Sequence, residues 1–163
     1  MKKLFLFTFF LIILLLNGYN QNNSFVSSDA KSFFESFKKL TQQQLFDTAK
    51  HYHNKYSIDT ALICYSLIIN DSVSTDLEYN RRMVYALNNS AVIYMNICDY
   101  HNAYKLLLDA LLLCEKHNIV LKNSPIYGNL GNIYFNFKKL DIAQSYYEKG
   151  LGNPSLYELK ALA

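Results

Sequence analysis

The chain has 163 residues, 51% of them hydrophobic and 18% charged, with 5 Gly and 2 Pro, which excludes disordered and collagen-like classes and suits one ordinary domain. Three Cys is an odd number and cannot form a fully paired disulfide framework. Part of the formal charge of +3 comes from Lys2 and Lys3; the remaining 14 basic and 13 acidic residues leave no electrostatic case for nucleic acid.

Residues 1–20 stand apart. Met1-Lys2-Lys3 is a short basic start, Leu4–Leu16 is an uncharged apolar run of 13 residues, and the chain turns polar from Asn17 to Gln21. This is the build of a secretory signal peptide. A run of 13 is shorter than the ~20 residues that span a bilayer as a helix, so a cleaved signal is favoured over an uncleaved N-terminal anchor. Leu16 and Gly18 make a mediocre cleavage site, and Tyr19 stands where a lipid-anchored signal would carry Cys. The mature chain is expected outside the cytoplasm, in the periplasm.

Residues 21–40 begin as a polar linker. Phe33, Phe34, Phe37 and Leu40 then recur at steps of three and four, the pattern of a short amphipathic helix with Asp29 near its start. From Thr41 the pattern is helical throughout. Thr41-Gln42-Gln43-Gln44 has the form of a capping box, and no alternating run long enough for a strand occurs. The spacing predicts helix pairs over 41–54 and 57–70, 76–96 and 100–117, and 124–136 and 140–151. Breakers at Asn70-Asp71-Ser72, Asn123-Ser124-Pro125 and Gly150 to Pro154 separate the pairs. Residues 155–163 open with Ser155-Leu156-Tyr157-Glu158, a second capping-box form, and read as the start of a further, truncated helix.

The pairs repeat one frame. Leu45-x2-Thr48-Ala49-x2-Tyr52 is followed by Ala61-x3-Tyr65, Leu87-x2-Ser90-Ala91-x2-Tyr94 by Ala103-x3-Leu107, and Tyr127-x2-Leu130-Gly131-x2-Tyr134 by Ala143-x3-Tyr147. In each copy the second part begins nine residues after the last Tyr of the first. Large residues at three- and four-residue steps form a packing face, and the small residues allow two backbones to approach. Each copy is therefore read as a helical hairpin.

This frame resembles the tetratricopeptide repeat, with the third copy nearest to its pattern. The third copy departs mainly by Tyr127 in place of Trp and Gly150 in place of Ala, while the first two have Thr48-Ala49 and Ser90-Ala91 where Leu-Gly is usual. The copies are offset by 42 and 40 residues, against about 34 in the family, so helices or inter-repeat turns must be longer than usual. Signal, period and third copy together are similar to the periplasmic repeat regions of Bacteroidota sensor and transcriptional regulator proteins. The resemblance implies an all-α, right-handed superhelical array of antiparallel hairpins over 41–154, its first helices lining a concave groove.

In such a groove the expected peptide-binding residues are Lys50, Asn54, Asn89, Asn96, Asn129, Asn132 and Asn136, because an amide offers a donor and an acceptor to a peptide backbone at once. His53 and Tyr85 point the same way. The chain is rich in Asn throughout, and a solvated polar face is the competing reading of the same residues. The expected packing residues are Ala49, Tyr52, Ala61, Ala91, Tyr94, Ala103, Leu130, Gly131, Tyr134 and Ala143. A carboxylate clamp would need more basic residues than Lys50, since Val92 and Asn132 stand at its later equivalents. Arg81-Arg82 either rims the groove or is simply solvated.

Little else suggests chemistry. His51 and His53 are two apart and face different ways on a helix. Cys114-x2-His117 is half a metal site with no second half. Cys64, Cys98 and Cys114 are read as small buried hydrophobes. No phosphate loop, nucleophile elbow or paired carboxylates with a convergent His occur. The expected function is a non-catalytic exported scaffold that binds a protein or peptide, with no metal and no cofactor. Self-association is expected through the third hairpin, whose Ile142, Tyr146 and Leu151 have little to cover them. The alternative is the truncated extracytoplasmic sensor region of a membrane-anchored regulator or signalling protein.

Overall fold

A computed structural model describes residues 28–72, 74–120 and 125–152. The expected signal peptide and the helix expected from Ser155 lie outside the described residues. Seven helices follow one another, and no strand occurs among the described residues: α1 (Ser28–Lys38), α2 (Gln42–Asn54), α3 (Ile58–Ile69), α4 (Leu77–Asn96), α5 (Tyr100–Lys116), α6 (Pro125–Asn136) and α7 (Leu140–Gly150). The fold is an all-α repeat of helical hairpins, α2 with α3, α4 with α5 and α6 with α7. It forms two compact units that part between residues 73 and 74. No described helix is long and apolar enough to cross a membrane.

Local chemistry explains most of the starts. Thr41 Oγ1 accepts from the Gln44 amide at 3.3 Å, and Gln44 Oε1 accepts from the Thr41 amide at 2.9 Å. This reciprocal capping box satisfies two N–H groups left over at the head of α2. Asp76 Oδ1 accepts from the Glu78 amide at 2.9 Å to open α4, and Asp99 Oδ1 accepts from the Asn102 amide at 3.1 Å to open α5. Pro125 begins α6, where its fixed φ suits the first turn and its missing N–H removes nothing.

In the first unit α1 packs on α3, and only Phe37 of its aromatic residues is buried. Phe33 stays 46% exposed and meets Phe37 edge-on at 4.9 Å. The helix ends at Lys38, so Leu40 lies beyond it rather than on its apolar face. In α3 the six residues Ala61 to Ser66 are all buried, as is Ile68. Ser66 keeps its hydroxyl satisfied by donating to the Ile63 carbonyl at 2.8 Å.

The longer period has a definite location. The repeat frame begins at the fourth residue of α2 and the third of α6, but at the eleventh of α4. Helix α4 therefore carries two extra N-terminal turns before Leu87, and its partner α5 is extended to 17 residues. The second hairpin is accordingly the longest of the three.

All three hairpin turns close in the same way. Tyr56, Cys98 and Lys138 adopt left-handed backbone with φ of 58°, 62° and 57°. Their amides donate to the carbonyls of His53, Met95 and Phe135, and the next amides, from Ser57, Asp99 and Lys139, donate back to Tyr52, Tyr94 and Tyr134. This is the Schellman arrangement, which satisfies the last helical carbonyls. It normally takes glycine, since an L-residue pays about 1–2 kcal/mol in that region. Cys98 is exposed, contrary to the expectation of a buried thiol, because it lies two residues beyond the end of α4, in the left-handed turn. Tyr56 is 88% exposed and contributes little packing. Tyr56→Gly and Lys138→Gly should each raise the urea midpoint, with a net gain of about 0.5–1 kcal/mol after the extra unfolded-state entropy of glycine. A loss of stability in both would show that these turns are not under backbone strain.

Candidate functional site

The first helices of the second and third hairpins, α4 and α6, both belong to the second unit. On α4, Tyr85, Asn89 and Asn96 follow one another at four- and seven-residue steps and so share one face; on α6, Asn129, Asn132 and Asn136 share one at three- and four-residue steps. Asn96, Asn132 and Asn136 are exposed, Tyr85 is 50% exposed, and Asn89 and Asn129 are half-buried. The structure joins the two stripes through a residue the repeat pattern did not single out. Asn129 Nδ2 donates to Asn88 Oδ1 at 2.9 Å, across 41 positions of chain. Asn88 is buried, as are Leu87, Ser90 and Ala91. Its place between frame residues on the packed arc of α4 is the signal that marks it as structural.

In the third hairpin the amides are tied to the packing frame. Tyr147 OH donates to Asn132 Oδ1 at 2.8 Å, and Asn136 Nδ2 donates to the Asn132 carbonyl at 2.8 Å. Gly131 makes the first of these bonds accessible. A Cβ there would lie 2.6 Å from Tyr147 Cδ1, so a residue without a side chain lets the ring pass over α6 to reach Asn132. Ala49 and Ala91, at the place of Gly131 in the other copies, and Tyr65 and Leu107, at the place of Tyr147, are all fully buried.

Lys50 and Asn54 lie on α2 in the first unit, both exposed, with Lys50 Nζ 5.6 Å from the Phe46 ring centre. His53 Nδ1 is 3.4 Å from Tyr65 OH, and burial pushes its imidazole below the usual histidine range. A folded-state value below the unfolded one means that this contribution to stability holds above about pH 6.5 and is lost as pH falls. Arg81 and Arg82 both reach Glu78, at 3.7 and 3.9 Å. Burial raises the thiols of Cys64 and Cys114 to about 12 and about 11, which keeps both protonated and inert. Among the described residues no three His, Cys, Asp or Glu side chains come together to hold a metal.

The packing residues lie between the two helices of each hairpin. Ala61 and Ala103 are fully buried and Ala143 is 1% exposed, with Leu130 fully buried and Tyr94 at 8%. Tyr52 and Tyr134 are half-buried. Tyr134 stacks on Tyr146 at 5.4 Å and meets Tyr104 edge-on, its hydroxyl donating to Tyr104 OH at 3.5 Å. That hydrogen bond and burial push the Tyr134 phenol up to about 12, so the cluster is a neutral joint between α5, α6 and α7. Of the three residues expected to be poorly covered, Leu151 is 70% exposed, while Ile142 and Tyr146 are half-buried. A cavity of about 660 Å³, missed by sequence reasoning, opens beside the end of α5 and is lined mainly by apolar side chains such as Leu111, Ile119 and Tyr127.

Two stacked hairpins with small residues on the seam, and an aromatic joint between them, narrow the family. Residues 124–153 match the tetratricopeptide repeat. The matched segment is the hairpin of α6 with α7, the copy that holds Leu130, Gly131, Tyr134 and Ala143. No curated protein and no solved structure matches the chain. Tetratricopeptide repeats generally mediate protein–protein interaction and carry no chemistry of their own.

Proposed function

We propose that the chain is an exported, non-catalytic scaffold that binds a protein or an extended peptide segment on the amide face of α4 and α6. The observation that carries this reading is the tetratricopeptide match over residues 124–153, whose first helix bears the exposed amides of Asn132 and Asn136. A primary amide both donates and accepts and so suits a peptide backbone. Selection of extended peptides from a displayed library on the chain from residue 21 onward tests it. Asn96→Ala and Asn136→Ala, both at exposed positions, should each weaken a selected peptide about fivefold, the equivalent of about 1 kcal/mol for one hydrogen bond. Failure to select any peptide, or equal affinity for all variants, overturns the reading.

Export is supported by Lys2-Lys3 and the apolar run Leu4–Leu16. Fractionation of the producing cell should recover a mature form shortened by about 20 residues outside the cytoplasm. Recovery of the full-length chain in the cytosol would count against export while leaving the binding proposal intact.

A further inference from the structure

The turns that close the second and third hairpins belong to one unit and touch. The Tyr100 ring, at the head of α5, meets the Phe137 ring, just past the end of α6, edge-on at 5.5 Å. Around this contact large apolar side chains face water: Ile97 is 47% exposed, Phe137 57% and Leu140 59%. Turn segments are ordinarily built from small and polar residues, and exposed apolar side chains that stand together rather than singly mark an interaction surface. The charges beside them carry both signs. Lys138 and Lys139 are exposed in the third turn, and Asp141 is exposed in the first turn of α7. Asp141 makes no ion pair with either lysine, although they are its near neighbours in sequence. Asp99, in the second turn, is already engaged: the Asn102 amide and Asn102 Nδ2 donate to its two oxygens at 3.1 and 2.7 Å.

We propose that this edge is where a second copy of the chain docks, the two copies being related by a twofold axis. In such a contact the same patch meets itself, so that residue i of one copy touches residue j of the other and j touches i. The aromatic and aliphatic centre then packs on its own image. The pairing that keeps like charges apart sets Asp141 of each copy against Lys138 and Lys139 of the other, so side chains left unpaired within one chain complement each other in both halves of the contact. An apolar centre with a rim of opposite charges is the build of a protein–protein interface. An anionic lipid surface fits less well, because Lys138 and Lys139 suit it but Asp141 and Asp99 would be pressed against like charge. The edge lies at the opposite end of α7 from Leu151, and so differs from the surface through which the sequence predicts self-association. It is also independent of peptide binding on the amide face.

The test is sedimentation equilibrium of the full chain, every variant keeping the same N-terminal apolar run so that any association through it is common to all. The unmutated chain should show a concentration-dependent equilibrium between monomer and dimer. Phe137→Ser should raise the dissociation constant about tenfold or more, because a substitution in a twofold contact acts twice. Leu112→Ser, at a position 62% exposed far along α5 from the turns, should leave it within about twofold. Charge reversal is the sharper arm. The double variant Lys138→Glu with Lys139→Glu and the single variant Asp141→Lys each set like charges together in a homodimer, and each should be monomeric where the unmutated chain is dimeric. Mixed in equal amounts they should form a heterodimer, since every pairing across the contact is then again between opposite charges. Their far-UV circular dichroism should match that of the unmutated chain, as all three positions are exposed. A monomer at every concentration, a dimer indifferent to Phe137→Ser, or charge variants that do not recombine would each overturn the proposal. So would binding of a monomeric chain to anionic phospholipid vesicles that is lost in Phe137→Ser, which would assign the edge to a lipid surface.

Discussion

Leu130→Ala is expected to be the most damaging single truncation in the third hairpin, at about 2–5 kcal/mol. Leu130 is fully buried on α6, beside Gly131 and within the same buried set as Ile126 and Ile133. Removing its branched end loses the transfer free energy of those atoms and leaves a cavity that two stiff helices can only partly close. Each repeat in such an array is held mainly by its neighbours, so the loss should fall on α6 and α7 first. The chain has no Trp, and far-UV circular dichroism in urea is the suitable readout. Leu112→Ala, at a position 62% exposed, serves as the control and should stay within about 0.5 kcal/mol. A comparable loss in both variants would mean that Leu130 does not sit at the centre of a packed seam.

Ala103→Leu is the complementary experiment, in which a side chain is added where none fits. Ala103 is fully buried one turn into α5, its amide donating to the Asp99 carbonyl at 3.1 Å. Its equivalents Ala61 and Ala143 are 0% and 1% exposed, so all three hairpins use a methyl group at the same close approach. A leucine there forces the helices apart or leaves its rotamer wells, at a cost of about 1–3 kcal/mol. Lys105→Leu on an exposed face of the same helix adds an apolar residue without overpacking. If both substitutions leave the midpoint unchanged, the close approach at Ala103 does not exist.

The helices of the three hairpins begin and end within one residue of the bounds read from spacing and caps. The reason is local: Thr41, Asp76 and Asp99 accept backbone N–H groups within their own first turn, so the signal lies within four residues of sequence. The candidate face was legible in the same way, because helical spacing alone aligns Asn129, Asn132 and Asn136. Its internal bonds were not. Asn88 to Asn129 spans 41 positions, and nothing local to either partner names the other.

What the sequence by itself determined is the repeat: which residues are helical, which small positions face a neighbour, and where the frame recurs. Those properties depend on periodicity and capping, which act over one or two turns. The tertiary structure decided which like residues differ in fate. The tetrapeptide Phe-Lys-Lys-Leu occurs at 37–40 and again at 137–140. Phe37 is 7% exposed because α1 packs on α3, whereas Phe137 is 57% exposed because it sits at a hairpin turn with Lys138 in left-handed backbone. Burial is a property of what lies opposite, and for four identical residues only the contacts made by distant parts of the chain supply that difference.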